Sequence, residues 1–146
     1  MTTIEEAKQY LLQVAELRDE AIVLAYKLAE QKKTSKRLIA SYELSFGGSK
    51  KKYDISDEIT KIKEKEQELQ VAKENWLSKR QEIECFINNL QLNPKAKQVL
   101  SLKYICCDRW KDISDKLYYS ERQILRLHLI GLKKVANNLK NVSKCQ

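Results

Sequence analysis

Four side chains within six positions, Glu121, Arg122, Gln123 and Arg126, are of types that discriminate nucleic-acid bases through hydrogen bonds. A guanidinium can bridge O6 and N7 of guanine, a carboxamide can pair with adenine, and a carboxylate can accept from the amino group of cytosine. On a helix starting near residue 121, all four fall in the first two turns, away from Ile124 and Leu127. Lys111, Ser120, Lys133 and Lys134 are suited by charge or hydroxyl to phosphate contacts. Tyr118 and Tyr119 can stack on bases or sugars, but serve equally well in a core or a turn. Nothing comparable exists for catalysis. His128 is the only histidine, and Cys85, Cys106, Cys107 and Cys145 lack the C-x-x-C spacing of a zinc site. No nucleophile–base pair, carboxylate dyad, phosphate loop or metal cluster can be assembled. The expectation is a non-enzyme with no catalytic residue, metal or cofactor, in which His128 packs or hydrogen-bonds and the cysteines stay reduced.

The charge distribution agrees with that chemistry. Residues 1–90 carry 16 Lys/Arg and 16 Asp/Glu, whereas residues 91–146 carry 12 and 4, so the whole +8 excess lies in the C-terminal part. A surface that approaches phosphates needs a positive field on that surface alone.

These side chains need short helices to hold them. Three Gly and one Pro in 146 residues leave long stretches without a helix breaker, which predicts an all-α fold. Asn93 is placed to cap a helix whose first residue is Pro94. Three helices are expected: Pro94 to about Ile105, Trp110 to Leu117, and Glu121 to about Leu139. Ala96, Val99, Leu100, Ile105, Trp110, Ile113, Leu117, Ile124, Leu127, Leu132 and Val135 suffice for one small core. Ser120 can cap the last helix after a tight turn, the pattern of a helix-turn-helix. The domain boundary therefore falls at residues 91–93, separating a 1–90 helical region from a 91–146 helix-turn-helix domain.

The first region reads as a long helical hairpin or coiled coil. Apolar residues recur three and four apart from Ile4 through Leu28, predicting a helix to about Lys33. Residues 34–53 read as a flexible connection containing a short ordered piece near Leu38 to Leu44. Asp54 or Ser56 can cap the next helix. A heptad seam then runs through Ile55, Ile59, Ile62, Glu66, Leu69, Lys73, Trp76, Arg80, Ile83, Ile87 and Leu90. A helix of that length needs a partner of similar length. Antiparallel pairing with the first helix and a homodimeric coiled coil both meet that need.

The segment from Leu92 to Val135, and especially Trp110 to Val135 with its Tyr-Ser-Glu-Arg-Gln-Ile-x-Arg-Leu-His motif at 119–128, resembles region 4 of bacterial sigma factors. It is more similar still to phage-encoded, sigma-like transcriptional regulators of Gram-positive bacteria of the ArpU and RinA type, and to a related uncharacterised prophage family. That resemblance implies a cytoplasmic protein of a bacterial host cell that binds double-stranded DNA sequence-specifically and regulates phage or prophage genes. It also implies base-reading positions at Glu121, Arg122, Gln123 and Arg126, with Ile113, Leu117, Ile124 and Leu127 as core. This chain departs from the sigma pattern in three places. Tyr118 stands where the turn commonly has Gly, and Leu125 and Ile130 replace residues that are often polar or basic. With Leu129, Leu132 and Ala136, Leu125 forms an apolar strip suited to a protein contact or to internal packing.

Two other readings stay open. Sigma-like domains contact RNA polymerase as well as DNA, so the chain can be a polymerase-binding or other protein-interaction adaptor. A phage small terminase also joins helix-turn-helix and coiled-coil parts, but with the DNA-binding part usually first. The first residues lack the pattern of a signal peptide and no apolar run is long enough to span a membrane, so no membrane association is expected.

Overall fold

The structure, a computed structural model, describes residues 3–44 and 55–144, and its regular elements are all helices: α1 (Ile4–Leu44), α2 (Ile55–Asn88), α3 (Pro94–Leu100), α4 (Trp110–Leu117) and α5 (Glu121–Lys144). A single π-helical turn, Ser101–Ile105, continues α3. The chain forms two compact units. One comprises Met1–Glu16 with Trp76–Gln146, the other Leu17–Asn75, so α1 and α2 contribute to both.

Thr3 and Glu6 start α1 with a reciprocal capping box: Glu6 N donates to Thr3 Oγ1 at 3.1 Å, and Thr3 N donates to Glu6 at 2.9 Å. The break expected after Lys33 does not occur, because α1 continues to Leu44. Residues 32–37 contain neither Gly nor Pro, and two of their side chains have partners on α2. Lys32 pairs with Glu66 at 3.6 Å, and the Ser35 hydroxyl donates to Glu58. Of the connection expected at 34–53, residues 34–44 are therefore helical and 45–53 lie outside the described residues, as does the proposed cap Asp54.

In the Leu17–Asn75 unit, α1 and α2 run antiparallel, with Ala21, Leu28, Leu69 and Ala72 buried between them and Leu24 and Ile62 packed alongside. The heptad seam holds at Ile62 and Leu69 but not at its start. Ile55 and Ile59 are 41% and 47% exposed, and Glu58 is buried instead. Glu58 accepts from Ser35 and from Gln31 Nε2 at 3.1 Å, and pairs with Lys61 at 3.2 Å. Those partners offset the cost of burying a carboxylate, so hydrogen-bonding complementarity sets the register where apolar spacing alone predicted another.

The other unit holds the short helices. Asn93 caps α3, its Oδ1 accepting from Lys95 N at 2.9 Å, with Pro94 in the first position as expected. Helices α4 and α5 are joined by Tyr118, Tyr119 and Ser120, a helix-turn-helix arrangement. The apolar residues divide into two clusters. Val99, Ile113 and Ile124 form one, with Leu102, Trp110, Leu117, Tyr119 and Leu127 packed against it. In the other, Leu100, Tyr104, Ile105, Leu132, Val135 and Ala136 pack with Ala7, Leu11 and Val14 of α1 and with Ile83, Ile87 and Leu90 of α2. The core predicted from residues 96–135 is thus not self-contained. Helix α5 serves both clusters along its length: Ile124 and Leu127 of its first two turns enter the first, while Leu132, Val135 and Ala136 further along enter the second with residues from the start of α1 and the end of α2.

Candidate nucleic-acid interface

The last helix is held by three local devices. At its start, Ser120 and Gln123 form a capping box: Gln123 N donates to Ser120 Oγ at 3.2 Å, while Gln123 Oε1 accepts from Ser120 N at 3.0 Å and from Ser120 Oγ at 3.2 Å. In the turn before it, Tyr118 adopts the left-handed conformation (φ 59°, ψ 37°) with its side chain 93% exposed. A side chain in that conformation, which glycine adopts freely, costs about 1–2 kcal/mol. Ser114 Oγ donates to the Tyr119 carbonyl, tying the turn back to α4. Further along, Gly131 lets α3 approach closely: a Cβ at this position would lie 2.9 Å from Leu100 Cγ.

Under the helix, His128 is buried, with Nε2 2.6 Å from Tyr104 Oη. Its ring meets Trp110 edge-on at 4.6 Å, and Lys103 Nζ stands 4.4 Å from the centre of the same indole. Burial, with smaller contributions from Lys8 and Lys103, pushes the His128 pKa down to about 4, so the imidazole is neutral. Burial also pushes the Tyr104 phenol up to about 12, with a smaller contribution from Glu5. The pair is a packing and hydrogen-bonding element, as the sequence suggested for His128.

Glu121, Arg122, Gln123 and Arg126 are all exposed. Arg122 and Arg126, four residues apart, lie on one face of α5. Among the described residues, neither they nor Lys111, Lys133 and Lys134 form an ion pair, while Lys116 pairs with Asp108 at 2.6 Å and Arg109 with Asp112 at 3.1 Å. Gln123 differs from its neighbours because its carboxamide oxygen is committed to the cap. The S-x-x-Q spacing that signals this role was present in the sequence. Ser120 fills the capping position expected of it. Lys111 is exposed on the first turn of α4, Lys133 is exposed and Lys134 half-buried, the last two about two turns beyond Arg126.

Arg126 also lines a surface pocket of about 260 Å³ together with Asn93, Lys95, Tyr119, Gln123 and Leu127. Lys95 Nζ stands 5.8 Å from the centre of the Tyr119 ring. Sequence reading assigned no site role to Lys95, since only the packing of α3 against α5 brings residues 95 and 126 to one place.

The apolar strip divides. Leu132 and Ala136 are buried in the core, whereas Leu125 and Leu129 are 48% and 43% exposed, with Ile130 at 46%. Cys85, Cys106 and Cys107 are unbridged. Among the described residues, no group of three His, Cys, Asp or Glu side chains is placed to hold a metal ion, and no helix is long and apolar enough to cross a membrane.

Comparison with curated proteins and with solved structures gave no match. A family profile does match, over residues 32–140, from the second half of α1 into α5. The chain belongs to that family, which is described as a protein of unknown function (DUF1492).

Proposed function

We propose that this protein binds double-stranded DNA sequence-specifically and regulates transcription, in keeping with its resemblance to sigma-like phage and prophage regulators, and that it does so without enzymatic activity. The observation that carries this reading is the pair of exposed arginines, Arg122 and Arg126, on the first two turns of the second helix of a helix-turn-helix, neither of them in an ion pair among the described residues. Charges held apart from counter-charges within the protein remain available to an external anion, and a helix presented in this way can enter the major groove with its N-terminal turns against base edges. In this reading Glu121 and Arg122 are the base-reading residues free to act. Gln123, whose carboxamide oxygen is committed to the cap, is not one of them, and Lys111 and Lys133 approach the backbone.

An unbiased selection of bound duplexes by the full chain tests the proposal. Enrichment of a defined motif, with its preference relaxed by Arg122→Ala, is expected. Failure to enrich any motif would exclude sequence-specific binding. The exposed Leu125, Leu129 and Ile130 favour a second reading, in which α5 also docks a protein such as RNA polymerase. Co-purification with polymerase from a DNA-free lysate, lost in a Leu125→Ser, Leu129→Ser variant, would support it.

A further inference from the structure

We infer that the pocket between the start of α3 and α5 is a seat for one backbone phosphodiester of the bound duplex, and that Arg126 is a phosphate clamp with Lys95 rather than a base reader. The inference rests on the DNA-binding reading and deepens it.

The chemistry of the lining points to an anion. Two cations, Lys95 and Arg126, share one pocket, and no carboxylate lines it. The two carboxamides there have committed their acceptor oxygens: Asn93 Oδ1 to Lys95 N at 2.9 Å, and Gln123 Oε1 to Ser120 at 3.0 and 3.2 Å. What remains on Gln123 is an NH2 group, which can only donate, and on Asn93 an NH2 group beside one unused lone pair of Oδ1. Four side chains therefore offer N–H donors into a cleft whose other walls are the Tyr119 ring and Leu127. A phosphodiester, which has acceptor oxygens and a negative charge, satisfies such a set; the donor-bearing edges of adenine and cytosine would leave some unpaired, and the all-acceptor edge of guanine carries no charge to match two cations. The sugar attached to that phosphate can rest against Tyr119.

Phosphate contacts and base contacts have different signatures. Losing a phosphate contact weakens binding uniformly across sequences and lowers the slope of log K against log salt by about 0.9. Losing a base contact relaxes the preference at one position. The full chain and its Lys95→Ala, Arg126→Ala and Arg126→Lys variants are titrated with a duplex of randomised sequence at several salt concentrations, and each is then put through selection. Lys63→Ala, which removes an exposed charge in the other unit, serves as the control.

The expected result is a salt slope lowered by about one for Lys95→Ala and for Arg126→Ala, largely restored in Arg126→Lys, with the selected motif unchanged and Lys63→Ala like the parent. An unaltered slope in both alanine variants, or a selected motif that changes in Arg126→Ala, would overturn the phosphate assignment while leaving DNA binding intact. Inorganic phosphate that raises the parent's melting temperature at matched ionic strength, but not that of the variants, without duplex binding, would identify a free-anion site and overturn the assignment to DNA. Absence of binding to any duplex by the parent would overturn the DNA reading itself.

Discussion

Acidification should weaken this fold in part through a single buried imidazole, that of His128. His128 is buried against Tyr104 and Trp110, and its pKa falls from 6.5 to about 4 in the folded protein. Between those values the denatured chain binds a proton that the native chain does not, so stability rises with pH there. The contribution is fully present above about 6.5 and is lost progressively as pH falls toward 4. From a neutral solution of about pH 7.5 to one of about pH 5, linkage gives a loss of about 2 kcal/mol. Urea denaturation followed by circular dichroism at the two pH values measures the total change. The same measurement on His128→Gln subtracts the contribution of the carboxylates. The parent should lose about 2 kcal/mol more than the variant over this interval. Because His128 is the only histidine, its ring protons can also be followed by NMR without ambiguity. Equal losses in parent and variant, or a measured His128 pKa at or above 6.5, would refute this account of the buried pair.

Three further outcomes follow from the devices that hold α5. Gln123→Ala removes one half of the capping box and should cost about 0.5–1 kcal/mol in urea denaturation while leaving the selected DNA motif unchanged; a changed motif would return Gln123 to base reading. Tyr118→Gly relieves a left-handed residue whose side chain is almost wholly exposed, and should stabilise the protein by up to about 1 kcal/mol, since the greater freedom of glycine in the unfolded chain offsets part of the gain. Gly131→Val places a branched side chain against the buried Leu100 and should destabilise by about 1–3 kcal/mol; an unchanged urea midpoint would mean that α3 and α5 separate more easily than their packing indicates.

Much of the helical framework was legible because its signals are local. Asn93-Pro94 and Ser120 mark two helix starts, and Ile113 and Ile124 lie where their spacing puts them, fully buried. What sequence spacing missed depends on contacts between distant segments. Glu58 displaces Ile59 from the seam because Ser35 and Gln31 lie opposite, 23 and 27 residues away. Ala7, Leu11 and Val14 complete a core that also contains Leu132 and Val135. The candidate site shows the same division. The exposure of Glu121, Arg122 and Arg126 follows from helical periodicity, and the Arg109–Asp112 pair from its i,i+3 spacing, but the Lys116–Asp108 pair does not, because it joins residues eight apart across the start of α4. Gln123 lies between the two cases: its spacing from Ser120 is a capping signal, and the same spacing also fits a reading face.

In the proposed function, α5 reads DNA through the first turn of its exposed face. Selection of bound duplexes from a randomised pool by the full chain, carried out in parallel on the parent and on Arg122→Ala, measures this most directly. The expected result is a defined motif for the parent and, for the variant, a relaxed preference at one base pair with about 1–3 kcal/mol lost on the parental site. A parent that enriches nothing, or a variant with the same motif and the same affinity, would contradict it.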